Sequence, residues 1–392
     1  MGSSKDNFEL FEIIKIRFPP FESSLRTSNK LPMGVIRRCL INSSKYSDIE
    51  AISESCYPEV KMGSEESWLI ERKYVCENNS EKVTDNLSFG SGFIETQKPP
   101  ELVELQRMGW YLTPHSLHLL SRKMIPFSVI LLLFSIIIHV FEPVLISFNL
   151  FPVTLDSSIK LGLLDYPMLL VIVSPLVIAP LIMRIIGNIL DLGKQRVFLS
   201  KLHKDPIINL TSDITSDRNL VGNIDDVKDL EFVDSLTIWW QVGLLPPSRE
   251  KILESLNSSK HGQPPPGFST PLPHYWSKGL SDGTDVGEST PPQSHDAPGG
   301  IFLPPLRIHA KGSMVNLEKN GGKFSLKPPA GNWPGTQNGG LIRVHWELVV
   351  KINRINKSPL YWVSPLKVKH GKGPFVIKDL PVQDGRLELT LD

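Results

Sequence analysis

The sequence predicts an integral membrane protein in three parts. They are a membrane α-helical hairpin of two spans, a soluble α+β domain before it, and an all-β antiparallel sandwich of immunoglobulin-like architecture at the C-terminal end. Three observations predict this arrangement. Two apolar stretches lie in the middle of the 392-residue chain between basic flanks, a Pro/Gly-rich stretch covers residues 261–300, and residues 342–352 alternate strictly between apolar and mostly polar side chains.

The first apolar stretch, residues 124–146, contains the run MIPFSVILLLFSIIIHVF, in which thirteen of eighteen residues are Leu, Ile, Val or Phe and none is charged. Each such residue favours insertion by roughly 0.3–0.6 kcal/mol, so the run favours it by about 4–8 kcal/mol. A hydrocarbon core needs about 20 helical residues, which this stretch supplies. The alternative, a buried hairpin of a large soluble helical protein, rarely lacks charge for so long.

The second stretch, residues 166–190, has ten such apolar residues in the run YPMLLVIVSPLVIAPLIM, together with Pro175 and Pro180. Membrane helices tolerate proline when neighbouring groups satisfy the freed carbonyls. We therefore expect a kinked second span that continues past the bilayer to about Leu199.

Lysine and arginine predict the orientation, because they concentrate on the cytoplasmic side of short flanks. Eight basic residues flank the two spans and one, Lys160, lies in the connecting loop. The flanking residues are Arg107, Arg122, Lys123, Arg184, Lys194, Arg196, Lys201 and Lys204. The pattern predicts a two-pass protein of the cell membrane with both termini in the cytoplasm. The predicted membrane anchors are Trp110, Tyr111, Arg122, Lys123, Arg184, Lys194 and Arg196.

Residues 1–106 are predicted to form a cytoplasmic mixed α+β domain. Apolar residues alternate between Leu10 and Phe18, and residues 68–76 and 87–96 are typical of two more strands, with a weak helix at residues 46–55. A helix over residues 101–123 is expected to approach the bilayer. The three cysteines, Cys39, Cys56 and Cys76, match no CxxC spacing and are interpreted as reduced structural thiols.

The rest of the chain divides by composition and charge. Residues 107–204 hold the juxtamembrane helix and both spans, and residues 205–260 form an acidic cytoplasmic segment with a short helix at residues 246–257. Residues 261–300 are predicted to be a disordered linker, and residues 301–392 a basic β-sandwich. The net charges are −4 for residues 1–106, +5 for 107–204, −8 for 205–300 and +8 for 301–392. This asymmetry favours a partner for the basic end, or contact between the two oppositely charged parts.

The prediction of a β-sandwich rests on runs in which apolar residues occupy alternate positions. Ile342, Val344, Trp346, Leu348, Val350 and Ile352 occupy every second position of one run. Shorter patterns recur at residues 306–310, 366–368 and 387–391, and glycine-rich turns separate them. The Cys–Trp–Cys pattern of true immunoglobulin domains is missing from the sequence.

The outward positions of these strands are mostly cationic. The predicted lipid- or partner-binding face comprises Arg307, His309, Lys311, Arg343, His345, Lys351, Lys367 and Lys369. Each Lys or Arg near an anionic leaflet contributes about 1 kcal/mol of attraction. Alternatively, the face contacts the chain's own acidic segment, residues 205–234, where acidic residues cluster between Asp225 and Asp234, or it is a solvated charged surface. Nucleic acid is not expected, because no set of aromatic residues for base stacking accompanies the charge.

Other candidate chemistry is weak. His115 and His118 stand on one helical face, but no third metal ligand has suitable spacing. His139 and Glu142 fall late in the first span, where we expect an interfacial position, with a proton or ion role as the open alternative. No catalytic, cofactor or metal motif is recognised, so neither metal nor cofactor is expected.

The predicted function is that of a membrane-anchored, non-enzymatic binding or scaffolding protein. Its expected partners are the lipid bilayer and either anionic lipid headgroups or another membrane protein. Two alternatives stay open. One is an accessory subunit of a transport or secretion complex, and the other is a membrane-bound hydrolase whose catalytic groups are too scattered to recognise. The sequence leaves the oligomeric state open.

Overall fold

The computed structural model describes most of the chain. The described residues are 8–19, 33–43, 45, 47, 56–78, 107–148, 158–161, 164–201, 203–211, 213–225, 232–245, 252–254, 256, 302–303, 306–337 and 341–383. The predicted helix at residues 46–55, the strands at 87–96 and 387–391, and the linker at 261–300 lie largely or wholly outside them. The chain forms two compact units. Residues 1–112 and 203–390 make the β unit, and residues 113–202 make the hairpin unit.

The elements alternate between short strands and two long helices. In chain order they are β1 Phe8–Arg17, β2 Gly34–Ser43, β3 Val60–Gly63, β4 Leu69–Asn78, β5 Gly109–Leu112, α1 Ser116–Ser147, β6 Ser158–Leu161, β7 Leu164–Pro167, α2 Met168–Leu199, β8 Ile208–Leu210, β9 Leu220–Ile224, β10 Val233–Leu245, β11 Ile308–Lys311, β12 Val315–Glu318, β13 Gly322–Leu326, β14 Arg343–Arg354, β15 Lys357–Leu366 and β16 Phe375–Ile377. Outside these elements, Ile252–Glu254 are also helical.

Three sheets build the β unit. A five-stranded sheet has the order β16-β3-β4-β1-β2, in which β16 pairs with β3 in parallel and the other neighbours are antiparallel. A six-stranded antiparallel sheet has the order β11-β10-β14-β15-β5, with β12 also paired to β10. A three-stranded sheet has the order β13-β9-β8. The described part of the β unit is therefore mostly β-sheet.

The alternation in β14 is confirmed, but its other face is also buried. The six apolar positions Ile342, Val344, Trp346, Leu348, Val350 and Ile352 are each at most 1% exposed. On the opposite face, His345, Glu347 and Val349 are exposed to the same small extent. The strand is therefore covered on both faces, whereas its sequence pattern predicts one solvated face.

Two strands occur where the sequence predicted other structure. The helix expected over residues 101–123 begins only at Ser116, and residues Gly109–Leu112 instead form β5 at the edge of the six-stranded sheet. The acidic segment, residues 205–260, for which the sequence predicted only a short helix, contains the long strand β10. Its residues from Leu236 to Leu245 are nearly all buried. Its alternation is hidden because Trp239, Trp240 and Gln241 in succession are buried on both faces.

Segments far apart in the chain share these sheets. β10 precedes residues 261–300 and lies between β14 and β11, which both follow them. Likewise, β5 precedes the helices and pairs with β15, and β16 near the C-terminal end joins the sheet formed by β1 to β4. The division of the chain at residues 106, 204, 260 and 300 stays a prediction, but strands from both sides of residues 261–300 form one sheet.

The hairpin unit consists of α1 and α2, which pack against each other in antiparallel directions, with the small β6–β7 ladder between them. α2 ends at Leu199, as predicted, and continues through both prolines. Proline lacks an N–H, so Pro175 and Pro180 leave the carbonyls of Val171 and Leu176 without their usual helical donors. Ser174 Oγ donates to Val171 O at 3.1 Å. Ser128 Oγ of α1 lies 3.0 Å from Leu176 O and 2.9 Å from Met124 O of its own helix, so these two carbonyls share its one proton.

Ser116–Phe141 and Val171–Leu199 are each long and apolar enough to cross a membrane. Large apolar side chains are exposed along both helices, such as Ile130 and Val140 at 66% and Ile189 at 61%. A contiguous exposed apolar surface of this kind marks a membrane or a protein interface. The structure thus confirms mostly β-sheet domains together with two long apolar helices that pack against each other.

Candidate functional site

The predicted basic face divides into a buried and an exposed group. Arg307 and His345 are 4% and 1% exposed, and His309, Lys311, Arg343 and Lys351 are partly buried. Only Lys367 and Lys369, just beyond β15, are well exposed among the eight. The strand register places His309, Lys311, Arg343, His345 and Lys351 on one face of the six-stranded sheet. That face is not open to solvent at its centre.

Two of these lysines make cation–π contacts with aromatic rings. Lys311 Nζ lies 5.7 Å from the ring centre of Trp239, and Lys351 Nζ lies 5.9 Å from that of Tyr361. Trp239 and Tyr361 in turn meet edge to face at 6.3 Å. Cation–π contacts at such distances stabilise by about 0.5–2 kcal/mol. These two lysines therefore pack against the sheet instead of projecting freely from it.

The centre of this face is a polar cluster around the fully buried carboxylate of Glu347. Arg107 binds it with two hydrogen bonds, from Nε to Oε2 at 2.9 Å and from Nη2 to Oε1 at 2.6 Å. Gln241, the direct cross-strand partner, donates from Nε2 to Oε1 at 2.5 Å, and His345 Nε2 lies 3.0 Å from Oε2. Trp239 Nε1 donates to Gln241 Oε1 at 3.0 Å, which fixes the orientation of the amide.

The electrostatics follow from burial and pairing. Burial by itself would raise the pKa of Glu347, but the charge and hydrogen bonds of Arg107 and the hydrogen bond from His345 outweigh it and hold the pKa well below its usual range. Burial lowers the pKa of neighbouring His309 to about 4, and the positive charges of Lys311 and Arg107 add to this effect. Glu347 is thus ionised and His309 neutral near pH 7.

A second buried charge cluster joins the five-stranded sheet to the chain before β14. Arg72 on β4 is 1% exposed; its Nε lies 3.0 Å from Glu12 Oε1, and its Nη1 donates to Gln337 Oε1 at 3.2 Å. Gln337 itself is bridged to β14 at Val344. His370 lies nearby: burial lowers its pKa to about 4, and the Arg72 charge adds to this effect.

The hairpin unit has its own polar contact at one end of the helices. His118 Nε2 lies 3.0 Å from Asp191 Oδ2, which also accepts the backbone N–H of His115 at 3.1 Å. Lys194 Nζ lies 3.4 Å from Asp191 Oδ1, and a Cβ on Gly187 would come within 3.0 Å of the His118 ring. His115 Nδ1 accepts the N–H of Leu117 and so caps α1. The His115/His118 pair is therefore explained by helix capping and packing.

The structure places the predicted membrane anchors in two groups. Trp110 and Tyr111 lie in β5 and are 6% and 0% exposed, so they are core residues of the six-stranded sheet. Arg122, Lys123, Arg184, Lys194 and Arg196 lie on the two helices, partly or fully exposed. His139 also lies on α1, whereas the Glu142 side chain is outside the described residues.

Among the described residues no three His, Cys, Asp or Glu side chains are arranged to hold a metal ion. The expected lack of metal and cofactor stays a prediction. Sequence reasoning missed Arg107, Gln241, Glu347, Arg72 and Asp191 as members of buried clusters. One signal was present for Glu347, because it is the one acidic residue inside the run Leu341–Val350.

The chain matches no protein-family model and no curated protein. Its function is therefore inferred from the geometry above.

Breaking the Glu347 cluster should destabilise the β unit strongly. Glu347→Leu leaves Arg107 buried without a counter-charge, so the free energy of unfolding should fall by about 3–5 kcal/mol. The double variant Arg107→Met/Glu347→Leu should lose less than the two single variants together. Unfolding in detergent can be followed by tryptophan fluorescence, because all eight tryptophans lie outside residues 113–202. Lys369→Ala, which breaks an exposed ion pair with Asp213, is the control and should cost under about 1 kcal/mol. Strictly additive single and double variants would contradict the cluster.

His309 and His370, the two partly buried histidines with lowered pKa values, predict that the β unit is sensitive to acid. Their pKa of about 4 lies below the usual value of 6.5, so between these values the unfolded chain binds more protons than the folded one. Their contribution to the free energy of unfolding is complete above about pH 6.5. As the pH falls towards 4, this free energy decreases by up to about 3 kcal/mol for each histidine. In the same fluorescence measurement, the stability of the double variant His309→Asn/His370→Asn should fall less steeply with decreasing pH than that of the unsubstituted protein. Parallel pH profiles for the variant and the unsubstituted protein would refute this assignment.

Proposed function

We propose that this is a membrane-anchored, non-enzymatic binding or scaffolding protein of the cell membrane. The observation that carries the proposal is that strands from before and after the two apolar helices form common sheets. The β unit is one body interrupted by a hairpin whose exposed surface is apolar. Such a construction attaches a binding module to a bilayer at a defined place in its fold.

Membrane insertion is supported by how the hairpin satisfies its backbone. In hydrocarbon an unpaired carbonyl costs several kcal/mol, because no water can replace the missing donor. Both carbonyls freed by prolines in α2 receive serine hydroxyls, one of them from the neighbouring helix. Ser121 Oγ adds a further contact between the helices, to Pro180 O at 2.7 Å.

Two arguments bear on the position of the termini: the basic residues favour the cytoplasm, and the shared sheets favour one and the same side of the membrane for both flanks. Basic residues flank the spans on their outer sides, which favours the cytoplasm for both flanks. In addition, the sheets that join residues before α1 to residues after α2 require both flanks to be on the same side of the membrane. Two spans satisfy this requirement and one span does not.

The binding surface in this proposal is the exposed basic end beyond β15, with Lys367 and Lys369. Lys369 Nζ lies 2.7 Å from Asp213 Oδ1, which supports the predicted contact with the chain's own acidic segment. This ion pair is exposed, so it stabilises little and competes weakly with an external anionic partner. The immunoglobulin-like packing of the sheets belongs to the same proposal and rests on their antiparallel strands.

A non-enzymatic role is supported by how the buried charges are used. Glu347, the most deeply buried carboxylate among the described residues, is bound by Arg107, Gln241 and His345, which leaves it little freedom to act on a substrate. An accessory subunit with the hairpin as its docking surface is the second candidate. The exposed apolar side chains of α1 and α2 favour it, and co-purification with a larger polytopic protein in mild detergent would identify it.

Reversal of the exposed basic end should weaken binding to anionic surfaces. The full-length protein in nanodiscs of zwitterionic lipid should capture phosphatidylserine vesicles in a salt-sensitive manner. Lys367→Glu/Lys369→Glu should reduce capture by about tenfold or more, because each lysine contributes about 1 kcal/mol near an anionic surface. Lys327→Glu/Lys378→Glu makes the same charge change at two exposed lysines elsewhere and should have a smaller effect. If the unsubstituted protein ignores these vesicles and anionic protein partners alike, the binding role is wrong.

The cysteines test the position of the β unit. Cys39 and Cys76 are exposed and Cys56 is buried. An impermeant maleimide should leave intact cells unlabelled, and should label Cys39 and Cys76 after permeabilisation and Cys56 only after unfolding. Burial raises the pKa of Cys39, so its thiol should react more slowly near neutral pH than an unperturbed cysteine and needs a longer labelling time. Labelling of Cys39 or Cys76 in intact cells would place the β unit outside, and extraction by alkaline carbonate would show that the hairpin does not span.

A further inference from the structure

We infer that one edge of the β unit lies in the interface of the bilayer that the helices cross, with Phe232 and Ile355 inserted among the lipid headgroups. We name this the tip edge: the β14–β15 turn at residues 354–357, the start of β10, the turn after β12, and the ends of β5 and β9. The inference rests on the membrane anchoring proposed above and specifies which surface of the β unit faces the lipid.

Strand direction shows that the chain leaves for the helices at the tip edge. β5 runs antiparallel to β15, with Gly109 opposite Val363 and Leu112 opposite Leu360. β15 begins at Lys357 in the turn, so β5 runs towards that turn and ends beside it. Three residues, 113–115, then connect Leu112 to α1, and three extended residues reach at most about 11 Å. The apolar stretch begins eight residues into that helix, at residue 124, or about 12 Å further along its axis. The β14–β15 turn extends beyond Leu360, the partner of Leu112, by five residues to Ile355, or about 16 Å in the same direction.

The chain also returns from the helices at this edge. After α2, the ring of His203 lies 5.7 Å from that of Trp110 on β5, and Asp205 Oδ1 accepts a hydrogen bond from Trp362 Nε1 at 3.1 Å. β8 then begins opposite Ile224, the last residue of β9. Both connections to the helices are therefore attached to the same edge of the β unit.

Three of the seven exposed large apolar side chains in the described part of the β unit lie at this edge. Phe232 and Ile355 are 54% and 53% exposed, and Ile207, just before β8, is 64% exposed. Phe232 and Ile355 are neighbours, because the Ile355 N–H donates to Phe232 O at 2.9 Å. Burial of such a side chain contributes about 1.5–3 kcal/mol when complete, so two or three of them hold an edge against a membrane.

The backbone holds Phe232 in an unusual conformation. Its φ is 66° and that of Asn356 is 53°, which is the left-handed region that an aromatic residue rarely adopts. Such a conformation costs about 1–2 kcal/mol and persists only where its surroundings impose it. Around it, the Ile355 N–H donates to Phe232 O, and Lys357 Nζ lies 4.2 Å from the Phe232 ring centre. A costly conformation that leaves an aromatic ring exposed is expected where the ring has a partner.

The charge of the tip edge selects the kind of partner. Arg354, Lys357 and Lys319 lie close to Asp234 and Glu318, so positive and negative side chains are mixed. An anionic headgroup has no uniform positive patch to recognise here, unlike at Lys367 and Lys369. Apolar insertion, with the lysine stem lying along the ring, is the contact that this edge makes, and it works on zwitterionic lipid as well.

The two ends of β15 then have separate roles. The strand has ten residues, or about 33 Å at the usual rise per residue. With Lys357 at the lipid interface, Lys367 and Lys369 stand at the far end, turned towards the cytoplasm. This places the exposed basic end where a partner or an opposing membrane reaches it.

Nitroxide labels in the full-length protein, reconstituted into nanodiscs, test this placement. Cys39→Ser and Cys76→Ser remove the exposed thiols, and single cysteines are then placed by Phe232→Cys, Ile355→Cys and Val376→Cys. Val376 is the matched control, an apolar residue on β16 that is 48% exposed. Collision with oxygen relative to a water-soluble nickel reagent reports depth. We expect the ratio at positions 232 and 355 to exceed that at 376 at least threefold, in both zwitterionic and anionic lipid.

A fourth label, from Ile130→Cys on α1, distinguishes failure of this inference from failure of the proposed membrane anchoring. If the label at 130 reports lipid while those at 232 and 355 match 376, the tip edge lies in water and this inference is overturned, although the anchoring stands. If the label at 130 also reports water, the hairpin does not span and both proposals fall. A lipid signal at 232 and 355 that appears only with anionic lipid would overturn the apolar basis of the contact.

Discussion

The rest of the structure depends on the pairing of β10 with β14. The two strands pair along nearly their whole length, from Val233 opposite Arg354 to Leu245 opposite Arg343, and β10 also holds β11 and β12 on its other side. Backbone N–H and C=O groups buried in this way need partners, and the neighbouring strands supply them. Because β10 comes before residues 261–300 and its partners after them, this one pairing closes the chain into a single β unit.

Burial of both faces of these strands explains the polar clusters. Once the outer face of β14 is covered, Glu347 and His345 cannot remain hydrated, and a buried carboxylate needs a counter-charge and hydrogen bonds. Arg107 supplies the charge, and Gln241 supplies a cross-strand hydrogen bond. The same requirement governs the hairpin unit, where serine hydroxyls reach the carbonyls that proline leaves unpaired. Charge and polarity in these places stabilise the fold.

The proposed membrane role joins these features. The helices interrupt the β unit between β5 and β8, and both connections are attached beside Trp110 and Trp362. If the helices anchor the protein as proposed, the anchor restrains the β unit at two points, which limits its rotation more than a single flexible tether does. The exposed apolar pair Phe232 and Ile355 at one end of the sheet and the exposed lysines Lys367 and Lys369 at the other give the unit two surfaces of different chemistry.

By itself the sequence determined the features that repeat over short distances. Strong periodicity and composition predicted both apolar helices, the end of α2 at Leu199 and the strand alternation from Ile342 to Ile352. The sequence did not predict strands β5 and β10, because β5 is only four residues long and β10 is buried on both faces. Tertiary structure alone decided which segments pair, such as β16 with β3 across some 300 residues, and therefore that His345 is buried while Lys367 is exposed. Periodicity gives the face of a residue within its own strand, but what covers that face depends on distant segments.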